Sequence, residues 1–119
     1  MLAYNFDRIF KARAISRPFT FLTTHGFSDN LASRIKQNRV RVLRNRELEK
    51  LCLILQCTPN DLLEWTDDEN VNPEPTHPMR KLMRTGKISD LNKTIHSIPL
   101  DKIGEIDQLI HEKLKDYED

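Results

Sequence analysis

The sequence predicts an all-α fold: a compact domain of five short helices over residues 1–66, an acidic, proline-bearing linker at 67–78 and a helical tail at 79–119. Three observations predict it. Apolar residues recur at helical spacing in several separate segments, most cleanly at Leu48, Leu51, Cys52 and Leu55, which follow the i, i+3, i+4, i+7 template. Between these segments stand residues that start or stop helices, among them Ser28, Gly26 and the Thr58-Pro59 pair. The charge is also unevenly divided: residues 1–66 carry eleven Lys or Arg against six Asp or Glu, whereas residues 67–119 carry eight against twelve. A basic front half is thus joined to an acidic appendage.

In chain order, Asn5 is placed to cap a first helix in which Phe6, Ile9 and Phe10 share one face and Asp7 favours the positive end. A break near Ser16 precedes Pro18, whose missing N–H suits the first position of a second helix. Phe19, Phe21 and Leu22 are its apolar content, and Gly26 ends it. The third helix runs from Ser28, its cap, to about Asn38. With Asn30 at zero and about 100° per residue, Leu31, Ala32 and Ile35 fall near 100°, 200° and 140°, while Ser33, Arg34 and Gln37 fall near 300°, 40° and 340°. One side is apolar and the other polar. Arg39, Arg41, Arg44 and Arg46 then punctuate a loop whose Val40, Val42 and Leu43 are expected to tuck against the core. Asn45 is the expected cap of the fourth helix. Thr58, Pro59 and Asp61 echo a capping box at the start of the fifth, which Leu62, Leu63 and Trp65 bury. The helical spacing of Phe6, Phe10, Phe19, Phe21, Phe27 and Trp65 makes them core rather than a base-stacking platform.

The back half is sparser. Asp67-Asp68-Glu69-Asn70, followed by Pro73, Pro75 and Pro78, has almost no apolar anchors and reads as the linker. Met79, Leu82 and Met83 are expected in one or two helical turns ending at Gly86, and Ser89 is expected to cap a short piece bearing Leu91 and Ile95. After Pro99, Ile103, Ile106, Ile110, Leu114 and Tyr117 form the longest amphipathic pattern of this half, widened by Leu109, in a helix from Leu100 to Tyr117. A lone helix of this kind either folds back on the first domain or pairs with another chain. A homodimer through these five residues is one expectation and intramolecular docking the other. Gly104 weakens the helix by about 1 kcal/mol relative to Ala.

Several classes are excluded or disfavoured. No stretch of about 18 apolar residues exists to span a membrane, and Met1 to Phe10 lacks the pattern of a secretory leader, so a cytoplasmic protein is expected. Cys52 and Cys57 are read as free thiols of a leucine-rich segment, with a bridge open only to suitable geometry. His25, His77, His96 and His111 are scattered, and no paired-cysteine, His-Glu-x-x-His or glycine-rich phosphate motif occurs. Neither an enzyme, a metal site nor a cofactor is expected; His25 suits the negative end of the second helix.

The polar side of the third helix mixes amide, hydroxyl and guanidinium groups, the types that read base edges in a major groove. Asn30 suits adenine and Arg34 guanine; Asp29 either accepts from cytosine or caps the helix. Lys36, Arg39, Arg41, Arg44 and Arg46 are candidates for phosphate, with Arg46 alternatively paired to Glu47 or Glu49. The run His25-Gly26-Phe27-Ser28, then Ser33 and Ile35, then Leu48, Leu51 and Cys52, then Leu55-Gln56-Cys57-Thr58-Pro59-Asn60-Asp61-Leu62-Leu63, resembles the Cro-like phage-repressor family of helix-turn-helix proteins over about residues 5–66. The resemblance implies a lambda-repressor-like domain that binds double-stranded DNA and a transcriptional regulator. It places Ser28, Asp29, Asn30, Ser33 and Arg34 at or near base edges, and Gln37 with the following basic residues at phosphates. Two positions depart from the family pattern: Pro18 stands where a phosphate-holding Gln is frequent, leaving Arg17 or Thr20 to substitute, and Ala32 stands where a larger aliphatic residue is common. The alternative is a protein-interaction module, such as an antitoxin-like adaptor whose acidic back half holds a basic partner and whose DNA binding is incidental.

Overall fold

The computed structural model describes residues 1–84 and 91–118. The chain divides into two compact units, Met1–Ser89 and Asp90–Asp119. The first contains β1 (Leu2–Tyr4), α1 (Phe6–Ala12), α2 (Pro18–Thr24), α3 (Asp29–Lys36), α4 (Asn45–Leu55), α5 (Pro59–Leu62), β2 (Leu63–Trp65) and a 3₁₀ turn at Pro78–Leu82. The second contains α6 (Leu91–His96), a 3₁₀ turn at Leu100–Lys102 and α7 (Ile103–Asp116).

The fold is mostly helical but not all-α. β1 and β2 pair antiparallel, with Leu2 opposite Trp65, Ala3 opposite Glu64 and Tyr4 opposite Leu63. The fifth helix therefore stops at Leu62, and Leu63 and Trp65, expected in that helix, are extended instead. Leu63 has φ −102° and ψ 145°, and the Asn5 N–H donates to Leu62 O at 2.7 Å, so the ladder runs on toward α1. Extension lets this segment exchange hydrogen bonds with the start of the chain while Trp65 still packs inward.

The core gathers one face from each helix. Phe6, Ile9 and Phe10 of α1 meet Leu22 of α2, Leu31, Ala32 and Ile35 of α3, Leu51 and Leu55 of α4 and Leu62 of α5, with Phe27 and Val40 from the connections. Phe19, Phe21, Leu43, Leu48 and Cys52 pack against its margin. Val42 is the exception in the basic loop: it is 82% exposed, because the loop's inward positions are taken by Val40 and Leu43.

The helices begin and end by local hydrogen bonding. Asn5 Oδ1 accepts from the Arg8 N–H, and Ser28 Oγ from the Leu31 N–H at 3.2 Å. At α4 the cap is Arg44 rather than Asn45: the Glu47 carboxylate accepts the Arg44 N–H at 3.1 Å, which satisfies the helix start one residue earlier. Asp61 accepts both the Thr58 N–H and the Thr58 hydroxyl, and the Thr58 N–H above all holds its carboxyl below the usual range. At the other ends, α1, α2 and α3 close on left-handed residues, Ala14, Gly26 and Asn38, at φ 56°, 90° and 57°. The residue after each donates back to the carbonyl five positions earlier: Ile15 to Phe10, Phe27 to Leu22, and Arg39 to Arg34. Gln56, at φ 53°, closes α4 in the same way through Cys57 and Cys52.

The acidic stretch after β2 wraps around one side chain. Arg80 donates to Asn72 Oδ1 at 2.9 Å, Glu74 O at 3.0 Å, Asp67 Oδ2 at 3.1 Å and Pro73 O, and its guanidinium lies 5.5 Å from the Trp65 ring centre. Arg84 donates to Leu63 O at 3.0 Å and to Asn60 O. Met79 and Leu82 lie in the 3₁₀ turn, which is tighter than the expected α-helical turns; Gly86 and Ser89 fall outside the described residues.

In the second unit, the expected helix from Leu100 begins as a 3₁₀ turn and becomes α-helical at Ile103. Ile103, Ile110, Leu114 and Tyr117 are 45%, 41%, 54% and 70% exposed, with Ile106 half-buried.

Candidate nucleic-acid interface

α2 and α3 are joined by the turn His25–Ser28, and its geometry explains its residues. Gly26 takes φ +90°, and a methyl group added there would come within 2.8 Å of Lys50 Nζ. Phe27 drops into the core and Ser28 caps α3. His25 caps the end of α2, its Nδ1 2.7 Å from Phe21 O and its ring 4.4 Å from that of Phe21.

α3 is thereby anchored on one side and open on the other. Leu31, Ala32 and Ile35 are buried, while Asp29, Asn30 and Arg34 are exposed and Ser33 is half-exposed. Ala32 is fully enclosed, and Leu31 is buried beside it. Ser28, Asp29 and Asn30 occupy the cap and first turn; Ser33 and Arg34 lie one turn on. Asn38 fixes the far end, since its Oδ1 accepts the Phe6 N–H at 2.9 Å and joins the close of α3 to the start of α1.

The candidate backbone contacts fall into separate groups. Arg17 and Thr20 are exposed at the start of α2, where Arg17 is the cap residue but makes no side-chain cap bond. Lys36 and Gln37 are exposed at the end of α3, and Gln37 Oε1 accepts from Arg39 Nη1 at 3.0 Å. Arg46 lines a cleft of about 280 Å³ with Gly26, Ser28, Leu31, Glu47 and Lys50, so the structure brings it beside the α3 cap. Arg39 and Arg41 line a different one, of about 460 Å³, with Met1 to Tyr4 of the β1 region. Arg44 is exposed in the loop between. Among the described residues, none of Arg17, Arg34, Lys36, Arg39, Arg41, Arg44 and Arg46 forms an ion pair; Arg46 pairs with neither Glu47 nor Glu49.

Sequence reasoning missed two residues here. Lys50 shares the Arg46 cleft and holds its ammonium 4.9 Å from the Phe27 ring centre. Its spacing of four from Arg46 on one helix was the available signal. Asn38 was read as a boundary; its tie to α1 is a long-range contact with no local signature. Cys52 and Cys57 are free and half-buried, and burial raises both thiols, Cys57 to about 11. That keeps them protonated near neutrality.

Compared with known families, the chain matches the Cro/C1-type helix-turn-helix DNA-binding domain over residues 6–68. It belongs to that family. The match spans α1 to β2 and thus the anchored α3 with its open face. Comparison with curated proteins and with solved structures gave no match. Among the described residues, no helix is long and apolar enough to cross a membrane and no cluster of three metal-ligating side chains occurs.

Proposed function

We propose that the protein is a cytoplasmic transcriptional regulator that reads double-stranded DNA by laying α3 in the major groove. The observation that carries this reading is the division of α3. Its aliphatic side is locked in the core while Asn30, Ser33 and Arg34 stand on the solvent side, flanked by cations that form no ion pair among the described residues. Ser28, Asp29, Asn30, Ser33 and Arg34 meet base edges; Arg17, Thr20, Lys36, Gln37, Arg39, Arg41, Arg44 and Arg46 hold the backbone. Dimerisation through Ile103, Ile106, Ile110, Leu114 and Tyr117 sets two half-sites about one turn, roughly 34 Å, apart.

Selection of bound fragments from a random duplex pool, at fixed salt, tests the reading. The protein enriches one motif, and Asn30→Ala with Arg34→Ala weakens preference at defined positions by about 1–3 kcal/mol per contact. Affinity falls steeply with salt, by about 0.9 in log–log slope for each phosphate neutralised, and Arg46→Ala removes about one such increment. The adaptor alternative gives a flat salt response and no enriched motif.

A further inference from the structure

The apolar stripe of α7 is symmetric in sequence: Ile103, Ile106, Ile110, Leu114 and Tyr117 are spaced by three, four, four and three. At about 100° per residue, all five fall within roughly 40° of Ile110. All five residues are exposed or half-buried. The charges beside it are not symmetric. With the helical angle continued to Lys102, the cap of α7, and to Glu118, the residue after its closing Tyr117, Lys102 and Lys113 fall about 80° and 60° to one side of the Ile110 line, and Asp107 and Glu118 about 60° and 80° to the other. One edge of the stripe is basic and the other acidic. Leu109, about 100° away, widens the stripe beyond its basic edge.

This division selects an orientation. When two copies of a helix pack face to face in parallel, each edge meets the opposite edge of its neighbour; when they pack antiparallel, each edge meets its own kind. We propose that α7 pairs with α7 of a second copy of this chain, in parallel and in register. Lys102 then faces Asp107 of the second copy, and Lys113 faces Glu118, each five residues ahead. Antiparallel packing sets Lys102 and Lys113 of both copies along one seam and the carboxylates along the other. The intrahelical contacts leave room for the exchange: Lys102 to Glu105 is 4.0 Å between exposed groups, and Lys113 lies 5.8 Å from the Tyr117 ring centre at the stripe's edge. Asp107 also holds His111 Nδ1 at 3.4 Å on its own helix.

The inference rests on the dimeric reading above and fixes its partner and geometry. The stripe is about 21 Å long at 1.5 Å per residue. A seam this short is weak by itself, so pairing depends on concentration and strengthens when two front domains share one duplex.

The test uses the full chain. Sedimentation over a wide concentration range gives the dimer constant, and Ile103→Cys in a glutathione redox buffer gives the orientation, with peptide mapping to assign the linked residues. The parallel pair yields a 103–103 disulfide and none between Ile103→Cys and Tyr117→Cys chains when the two are mixed. A mixed 103–117 link alone overturns the orientation. A monomer at all concentrations, with no link, overturns the pairing and assigns the face to another partner. Lys113→Glu weakens the parallel dimer at least threefold and Glu118→Lys added to it restores it; strengthening by Lys113→Glu also refutes the geometry. Binding to a half-site duplex by fluorescence anisotropy at low protein concentration reads α3 independently of α7, so failure of the pairing is separable from failure of DNA recognition.

Discussion

Asn38 carries two loads that can be separated by substitution. Its backbone sits at φ 57°, and its Oδ1 accepts the Phe6 N–H at 2.9 Å, one of the donors that the first turn of α1 cannot satisfy internally. Asn38→Gly removes the acceptor but relaxes the backbone. The lost cap-like bond costs about 1–2 kcal/mol and the relief returns about 0.5–1, for a net loss of about 1 kcal/mol. Asn38→Ala removes the acceptor and adds left-handed strain of about 1 kcal/mol, for a loss of about 2–3. Against a total stability of about 5–15 kcal/mol for a domain, the Ala variant shows a plainly lowered midpoint. Urea unfolding followed by fluorescence of Trp65, the single tryptophan and 4% exposed, gives both values. If Asn38→Gly matches or exceeds the wild type, the bond to α1 contributes nothing. If Ala and Gly are equal, the strain assigned to this residue is wrong.

Ala14→Gly raises stability by about 0.5 kcal/mol in the same assay, since relief of left-handed strain at an exposed residue outweighs the added freedom of the unfolded chain. Ile35→Ala, at a fully enclosed position, lowers stability by about 2–5 kcal/mol, and DNA binding then falls at all sequences together rather than at chosen positions. Asp61 is ionised more readily in the folded than in the unfolded chain, because the Thr58 N–H donates to it. Its contribution is therefore complete above the unfolded value of about 4 and is lost as pH falls through the lower folded one. Asp61→Asn flattens the acid limb of stability against pH; an unchanged limb contradicts the assignment.

The helices of the front domain were legible because their signals are local and repeated. Phe6, Ile9 and Phe10 announce α1 by spacing, Pro18 and Gly26 bracket α2, and Leu31, Ala32 and Ile35 define the buried side of α3 by angle alone. The sheet was not legible. Its strands are three residues each, too short for alternation to emerge, and each is defined by a partner about sixty positions away. Separation also hid the Asn38 bond, whose partner Phe6 lies 32 positions away. The stretch from Asp67 to Arg80 looked loose because it has almost no apolar anchors, yet one guanidinium donates to its carbonyls and side chains. Composition cannot show such convergence. Within α3, the division between hidden and open residues followed directly from helical period, whereas the placement of Arg39 and Arg41 beside β1 depends on the sheet.

The pairing of Leu2 with Trp65 has a topological consequence. The two strands that bracket α1 to α5 lie one strand spacing, about 4.8 Å, apart. Such a unit tolerates circular permutation: its ends can be joined by a short polar link and the chain reopened at exposed Val42, with the helices keeping their places. It can also be spliced whole into a surface loop of a host protein, because the host needs to supply only two attachment points a few ångströms apart.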